Sequence, residues 1–385
     1  MKIYQPLQQL LEAEEIRQTE TACFIASENF ASEAIMQLSG SIFTNKYAEG
    51  YPGARYYNGC KHMDEIEQLA IDLVTELFGA NYANVQPHSG ANANLAVMNA
   101  LLKPDDRILG MDLASGGHLS HGADVNISGK WFDSHMYGVE ENGLINYHKV
   151  RMLAKQHKPK MIIAGASAYP RQIDWESFRK IADEVGAILL VDMAHYSGLI
   201  AGGVYDNPIE YADVVTSTTH KTLRGPRGGV ILWNDIKFSK KINSSVFPGT
   251  QGGPLMNQIA AKAQCFAEAS QPEFRIYAQD VVNNAKTMAE IFMQEGIDLV
   301  TSGTDSHILL LDLQSQGVSG KEIANVLESE CKIIVNKNGV PNDPKSFRET
   351  SGIRIGTAAE TTKNRPKEWF EEMARKIAYT IKQWA

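Results

Sequence analysis

Nowhere does an uninterrupted apolar run approach the ~20 residues that a helical bilayer crossing needs, so no membrane partner is expected. Cysteine is nearly as scarce. Cys23, Cys60, Cys265 and Cys331 are scattered without CxxC spacing. That scatter argues against a structural zinc site or a disulfide framework, and reads as reduced, mostly buried thiols in a cytoplasmic protein. An excess of basic residues is missing too. The formal net charge is −8, and an acidic protein repels phosphate backbones, so nucleic acid is not an expected partner. The opening stretch MKIYQPLQQLLEAEEIRQTE is polar and helical and lacks a signal-peptide core. There is no internal repeat and no low-complexity tract.

What is present is ordinary globular material, 43% hydrophobic and 21% charged over 385 residues, enough for a large domain plus a smaller one. Apolar Met63, Ile66, Leu69, Leu73 and Leu77 mark one face of a helix over 62–78, closed by Gly79. A strand-like ANVQP, the turn HSGAN and an apolar helix NLAVMNALL follow. RILGMDL, KMIIAGASAY, GAILLVDMAH, ADVVTSTTHK and GGVILW are short buried strands separated by helical or loop stretches. Such alternation predicts an α/β fold with a mostly parallel sheet covered by helices on both faces. A long helix over about 272–295 leads into HILLLDL, KEIANVLESE, KIIVN, GIRIG and a last amphipathic helix, the material of a small α+β domain. The expected division is an N-terminal helical arm over 1–40, a large domain over 41–270 and a small one over 271–385.

In a parallel sheet, ligands bind at the carboxyl ends of the strands, and there the chemistry-bearing residues fall. Asp192 ends the strand in VDMAH, with His195 three residues on. A buried carboxylate needs a cationic partner, either a helix-cap or turn role or a protonated pyridine nitrogen. Lys221 follows the strand ADVV behind Ser217, Thr218, Thr219 and His220, and precedes Arg224, Arg227 and a glycine turn. Clustered cations lower an amine's pKa, as attack on a carbonyl requires, although a lysine at a strand end is more often a solvated cation. Ser89, Gly90 and Ala91 begin a helix whose N–H groups suit a phosphate. In SGGHLSHG, Gly116 and Gly117 allow a close backbone approach and His118 suits stacking on a flat ring. His118 and His121 lack a carboxylate at metal-ligand spacing. Arg354 interrupts the apolar strand of TSGIRIG and calls for an anion, a substrate carboxylate or an internal salt bridge.

Together with IASEN, TNKYAEGYPGARYY, NVQPHSG, GMDLASGGHLSHG, IAGASAYPR, TTHKTLRGPRGG, FPGTQGGP, VNKN and SGIRIGT, these motifs resemble serine hydroxymethyltransferases almost end to end. Those are pyridoxal-phosphate enzymes of the aspartate-aminotransferase-like fold. The resemblance implies reversible transfer of the serine hydroxymethyl group to tetrahydrofolate, giving glycine and methylenetetrahydrofolate. It implies that Lys221 forms the Schiff base, Asp192 pairs with the pyridine nitrogen and His118 stacks on the ring. His195 and Ser167 would lie by the ring hydroxyl, with Thr218 also against the cofactor. Ser89, Gly90 and Ala91 would hold the phosphate, joined by Gly252 and Gly253 of a neighbouring subunit. Arg354 would grip the amino-acid carboxylate near Ser27 and His220. Glu49 would be the acid–base group, flanked by Tyr47 and Tyr57 from the partner, and Leu113, Gly117, Leu119 and Asn338 would contact the pteridine. A homodimer is then the minimum active unit, whether or not dimers pair into tetramers.

Some positions depart from the family pattern. Ala91 stands where a serine is usual and Asn92 where a glutamine is, which predicts weaker cofactor binding. Asn58, Ser115 and Asn257 replace a glycine and two histidines, AAETTKN follows Thr357 in place of a proline and an apolar residue, and both ends are short for the family. Two other readings stand beside the hydroxymethyltransferase. One is a folate-independent aldolase acting on threonine or another β-hydroxy amino acid, which would not need the pteridine positions. The other is a non-catalytic protein of the same fold, which would not need Lys221, Asp192 and Arg354.

Overall fold

Five aliphatic runs with no polar alternation become the strands of one sheet, because burial on both faces removes the need for a polar side. The computed structural model describes residues 3–385. Its main sheet has seven strands in the order Tyr82–Asn84, Gly229–Trp233, Val214–Thr218, Ile188–Asp192, Met161–Ala164, Arg107–Met111 and Asp133–Tyr137. All pairings are parallel except those of Gly229–Trp233, which runs against both neighbours. The fold class expected from the sequence is the one observed. The strand Asp133–Tyr137 was not anticipated, because an edge strand carrying Asp133, Ser134 and His135 gives no apolar run.

The carboxyl ends of the six co-directional strands, and the start of the reversed one, lie along one edge. That edge therefore gathers Ser89, Gly117, His118, Ser167, Asp192, Thr218, Lys221 and Gly229, which are distant in sequence.

Helix Lys61–Phe78 ends at Gly79 in the left-handed conformation, as expected, but its buried face is Met63, Glu67, Ala70, Val74 and Phe78. Leu69 is 53% exposed. Met63, Ile66, Leu73 and Leu77 of the expected face do pack on the core, and only Leu69 points out. The charged Glu67 turns inward instead, ion-paired with Arg55 at 2.6 Å and hydrogen-bonded by Gln86 at 2.7 Å.

A second core gathers around the four-stranded antiparallel sheet of Asp298–Leu299, Ile308–Asp312, Gly352–Gly356 and Asn336–Asn338. Helix Pro272–Gln294 belongs to both cores. Phe274, Tyr277 and Val281 pack on the first, and Ala285, Met288 and Phe292 on the second. The N-terminal segment also joins the second core: Ala22–Cys23 pairs in parallel with Ile333–Ile334, and Phe24 stacks on Trp369 at 5.8 Å. The unusual Glu360 is fully buried there and answered on every side. It accepts from the Cys23 N–H at 2.9 Å and pairs with Lys363 at 3.0 Å and Arg365 at 3.3 Å. Helix Gln5–Glu20 has no buried residue, and Tyr4, Leu7 and Leu10 lie exposed at and beside it.

Candidate active site

Asp192 sits in a closed ring of hydrogen bonds. Its Oδ2 accepts from Asn94 Nδ2 at 2.8 Å and from His121 Nε2 at 3.0 Å, and its Oδ1 from the Ala194 N–H at 3.1 Å. The His118 N–H donates to His121 Nδ1 at 3.3 Å, so the His121 proton is on Nε2, facing the carboxylate. Asn94 Nδ2 also donates to Ser120 Oγ at 2.9 Å, and Ser120 Oγ lies 2.7 Å from His118 Nδ1. Thr216 Oγ1 fixes the Asn94 amide by donating to its Oδ1 at 2.6 Å. Burial alone would raise the Asp192 pKa, but His121, His118 and Asn94 together hold it well below the usual carboxylate range. His118 moves down to about 4, through burial first and then the neighbouring His121. Asp192 is thus a fixed anion and His118 a neutral ring. Sequence spacing offered His118 and His121 no carboxylate, whereas the fold brings Asp192 within 4.8 Å of both. Their inward lone pairs are already spent on each other and on Ser120.

Lys221 lies three residues past the end of the neighbouring strand Val214–Thr218 and is buried, its pKa lowered to about 8. The first cause is burial; Asp192 opposes it, and Arg354 and Arg227 add to it. The sequence suggested Arg224 as one of those cations. It is instead turned away, its guanidinium 4.3 Å from the Tyr277 ring and 5.1 Å from Phe274. Arg354 takes its place, brought from the other sheet. Arg354 Nε donates to Asn336 Oδ1 at 3.1 Å and Nη1 to the Ser167 carbonyl at 2.6 Å. No carboxylate pairs with it among the described residues, and burial brings its pKa down to about 10. Arg354 is half-buried, and a guanidinium in that setting without an acid calls for an external anion.

Ser27, Ser89, Gly90, Ala91, Leu113, Gly117, His118, Leu119, Ser167, His195, Thr218, His220, Lys221, Asn338 and Arg354 line one cavity of about 740 Å³. Asp192 lies at its inner recess with His118 and Lys221. Leu113 and Leu119 are exposed apolar side chains on the same wall. Ser89 caps helix Gly90–Leu101 by accepting from the Asn92 N–H at 3.1 Å, and its own proton goes to Asn92 Oδ1 at 2.8 Å. Asn92 thus occupies the one hydroxyl left in a turn where Ala91 has none. Gly116 and Gly117, expected to allow a close backbone approach, do so. Their tightest neighbours are protein: a Cβ on Gly117 would lie 2.0 Å from the Met111 carbonyl oxygen, and one on Gly116 3.2 Å from the Ala168 carbonyl carbon. His220 is pushed down to about 3 by burial, then by Arg227 and Lys221, and its Nδ1 has no partner.

Glu49, Tyr47, Tyr57, Gly252 and Gly253 are absent from this cavity and form a second cluster. The Tyr47 and Tyr57 rings meet edge-on at 5.3 Å, and the Glu49 charge raises the Tyr57 pKa. A Cβ on Gly252 would fall 3.8 Å from Glu49 Oε1, and one on Gly253 3.0 Å from the Tyr47 ring.

The family model for serine hydroxymethyltransferase matches residues 2–377. The serine hydroxymethyltransferase of Psychrobacter arcticus is 58% identical over 358 residues, 93% of this chain and 85% of that protein. That of Wolbachia pipientis is 55% identical over 381 residues, 99% of this chain and 88% of the relative. Serine hydroxymethyltransferase 1 of Pseudomonas savastanoi is 58% identical over 365 residues, 94% and 87% of the two chains. The chain belongs to the serine hydroxymethyltransferase family.

Its reaction is the pyridoxal-phosphate-dependent exchange of a one-carbon unit between serine, glycine and tetrahydrofolate. The residues of the Lys221 cavity fit that cofactor. A buried amine without a carboxylate on it, a buried anion in the recess and a helix N-terminus face one space. No helix among the described residues is long and apolar enough to cross a membrane.

Asn94, Ser120 and Thr216, which organise Asp192, were missed in the sequence. So was Asn29, whose Nδ2 donates to the Lys221 carbonyl at 2.9 Å. Small polar residues carry no motif of their own, and only the i, i+2 pair of His118 and Ser120 was there to be found. Two departures have local partners. Ser115 Oγ donates to Asp112 Oδ2 at 2.9 Å, and Asn257 Nδ2 donates to the Ser39 carbonyl at 2.7 Å.

Proposed function

We propose that the active site of this serine hydroxymethyltransferase is built from two copies of the chain, the Lys221 cavity of one meeting the Glu49 cluster of the other. The observation that carries this reading is that Glu49, Tyr47 and Tyr57 do not line the Lys221 cavity of their own chain, which leaves each cluster chemically incomplete by itself. Exposed Tyr47 and Tyr57 and the unburied helix Gln5–Glu20 supply apolar surface for the contact. A cytoplasmic homodimer, with an arm over 1–40, a large domain over 41–270 and a small one over 271–385, is the corresponding organisation.

Pyridoxal phosphate supplies an electron sink for the carbon that loses the hydroxymethyl group. Lys221, neutral above about pH 8, is the amine that carries it. Asp192 offers the ring nitrogen a permanent negative charge, and the Asn94 and His121 bonds keep that charge in place. His118 presents a neutral face for stacking, and His195, Ser167 and Thr218 surround the ring edge. Ser89 and Gly90, with Ala91, receive the phosphate at the helix N-terminus, together with the partner's glycine pair of the 252–253 turn. Arg354 grips the serine carboxylate beside Ser27 and His220, which fixes the bond to be broken relative to the ring. Glu49 exchanges the proton of the serine hydroxyl, positioned by Tyr47 and Tyr57. Leu113, Gly117, Leu119 and Asn338 form the wall for the pteridine.

Mixing inactive variants tests this arrangement. Lys221→Gln and Glu49→Gln homodimers are unfolded together, or co-expressed, and recombined. If the two residues come from different chains, half of the dimers are mixed and each has one intact site, so activity returns to roughly a quarter of the unsubstituted level. No recovery from mixed dimers would assign Glu49 and Lys221 to one chain and overturn the proposal.

A further inference from the structure

Lys262, in helix Met256–Ala269, is 1% exposed and has no role in the reaction described above. Its three N–H bonds all end on main-chain carbonyls, those of Val85 at 2.7 Å, Pro87 at 2.9 Å and Gly229 at 2.9 Å. An ammonium has three donors, so the charged group is fully satisfied without a carboxylate. Burial lowers its pKa to about 7, with the Glu67 charge opposing, so the three-carbonyl clamp is complete at and below neutral pH. The three carbonyls hold the cofactor side of the sheet edge together. Val85 and Pro87 lead directly into the turn at Ser89 and Gly90, and Gly229 opens the reversed strand. The Gly229 N–H donates to the Pro87 carbonyl at 3.0 Å, and a Cβ on Gly229 would lie 2.3 Å from the Ser89 oxygen. A Cβ on Gly228 would lie 2.3 Å from Lys262 Cε, so the backbone closes directly over the side chain.

Three carbonyl oxygens converging on one point repel each other unless a cation sits between them, as in carbonyl-lined cation sites. We infer that the Lys262 ammonium is a tethered cation that clamps residues 85–89 against Gly229, and thereby sets how tightly the anion-binding turn retains the cofactor phosphate. Lys262 is a positioning residue: it bonds the backbone that leads into the turn and does not line the cavity itself. The inference rests on Ser89 and Gly90 being the phosphate turn.

The test follows the loss of visible cofactor absorbance from the holoenzyme on dialysis. Lys262→Met fills the channel without charge and is expected to lose cofactor roughly tenfold faster or more, with kcat at saturating cofactor little changed. Lys262→Ala leaves room for a small cation. Ammonium or methylammonium chloride is expected to slow its loss back toward the unsubstituted rate, and tetramethylammonium chloride at equal ionic strength is not. Unchanged retention in Lys262→Met would overturn the inference, and so would an equal response of Lys262→Ala to both kinds of salt. Should neither variant yield folded protein, Gly228→Ala displaces the lysine head from above, and unchanged retention there has the same consequence. An unsubstituted protein that never shows the cofactor band would instead sink the phosphate-turn reading itself.

Discussion

The Lys221 cavity and the Glu49 cluster are held in place in opposite ways. Around Asp192 and Lys221 the functional groups themselves are buried, and their charge states follow from burial and from hydrogen bonds within one chain. Around Glu49 the functional groups are accessible and the scaffold beneath them is buried. Arg55 Nη1 donates to the carbonyls of Ala48 and Gly50 at 2.9 Å and 3.0 Å, on either side of Glu49. Its Nε and Nη2 are paired with Asp64 and Glu67 at 2.7 Å and 2.6 Å. Gly50 adopts φ 98°, and a Cβ there would strike the Ala54 carbonyl oxygen at 2.3 Å. A group whose charge must not change is protected by its own chain, whereas the cluster proposed to meet a second copy is only aimed by its own chain.

Substitutions should separate the two regions, beginning with Lys221→Ala. That change is expected to lower turnover by more than about 1,000-fold and to remove the visible cofactor band, while Glu49→Gln lowers turnover and keeps the band. If both variants lost the band, the division would fail. Asp192→Asn leaves His121 Nε2–H and Asn94 facing a neutral amide, and should cost about 3 kcal/mol in cofactor binding, roughly 100-fold. A titration of the apoprotein with pyridoxal phosphate measures it. Arg55→Met should instead appear as stability, because Glu67 would be left buried and unpaired. A loss of about 3 kcal/mol or more is expected in denaturant unfolding, with the cofactor band present in the fraction that folds.

Two smaller effects sharpen the comparison on the Lys221 side. Capture of pyridoxal phosphate by the apoprotein needs the neutral amine. Because the Lys221 pKa is lowered to about 8, the rate should climb with pH up to that value and then level off. A rate still climbing toward the ordinary lysine range would mean that burial does not act on this amine. Restoring the hydroxyl with Ala91→Ser should slow cofactor loss on dialysis by roughly tenfold, the effect of one hydrogen bond to a charged group. No change would show that Asn92, which already takes the Ser89 proton, compensates for the missing serine.

The family with its cofactor and reaction was legible in the sequence only through the resemblance of the motifs. The α/β class and the residues that end each buried strand were legible because burial on both faces writes continuous apolar runs and charged residues interrupt them conspicuously. Lys221, Asp192 and Arg354 stand out for that reason. Tertiary structure decided which charges meet. It turned Arg224 onto aromatic rings and set Arg354 near Lys221 instead. It gave His118 and His121 a carboxylate from a different strand, turned Glu67 inward where periodicity favoured Leu69, and gathered Asn94, Ser120 and Thr216 around Asp192. Periodicity reports whether a position faces the interior. Electrostatic and hydrogen-bond partners are chosen by distances of a few ångströms between segments far apart in the chain, and those distances exist only once the sheet edge has formed.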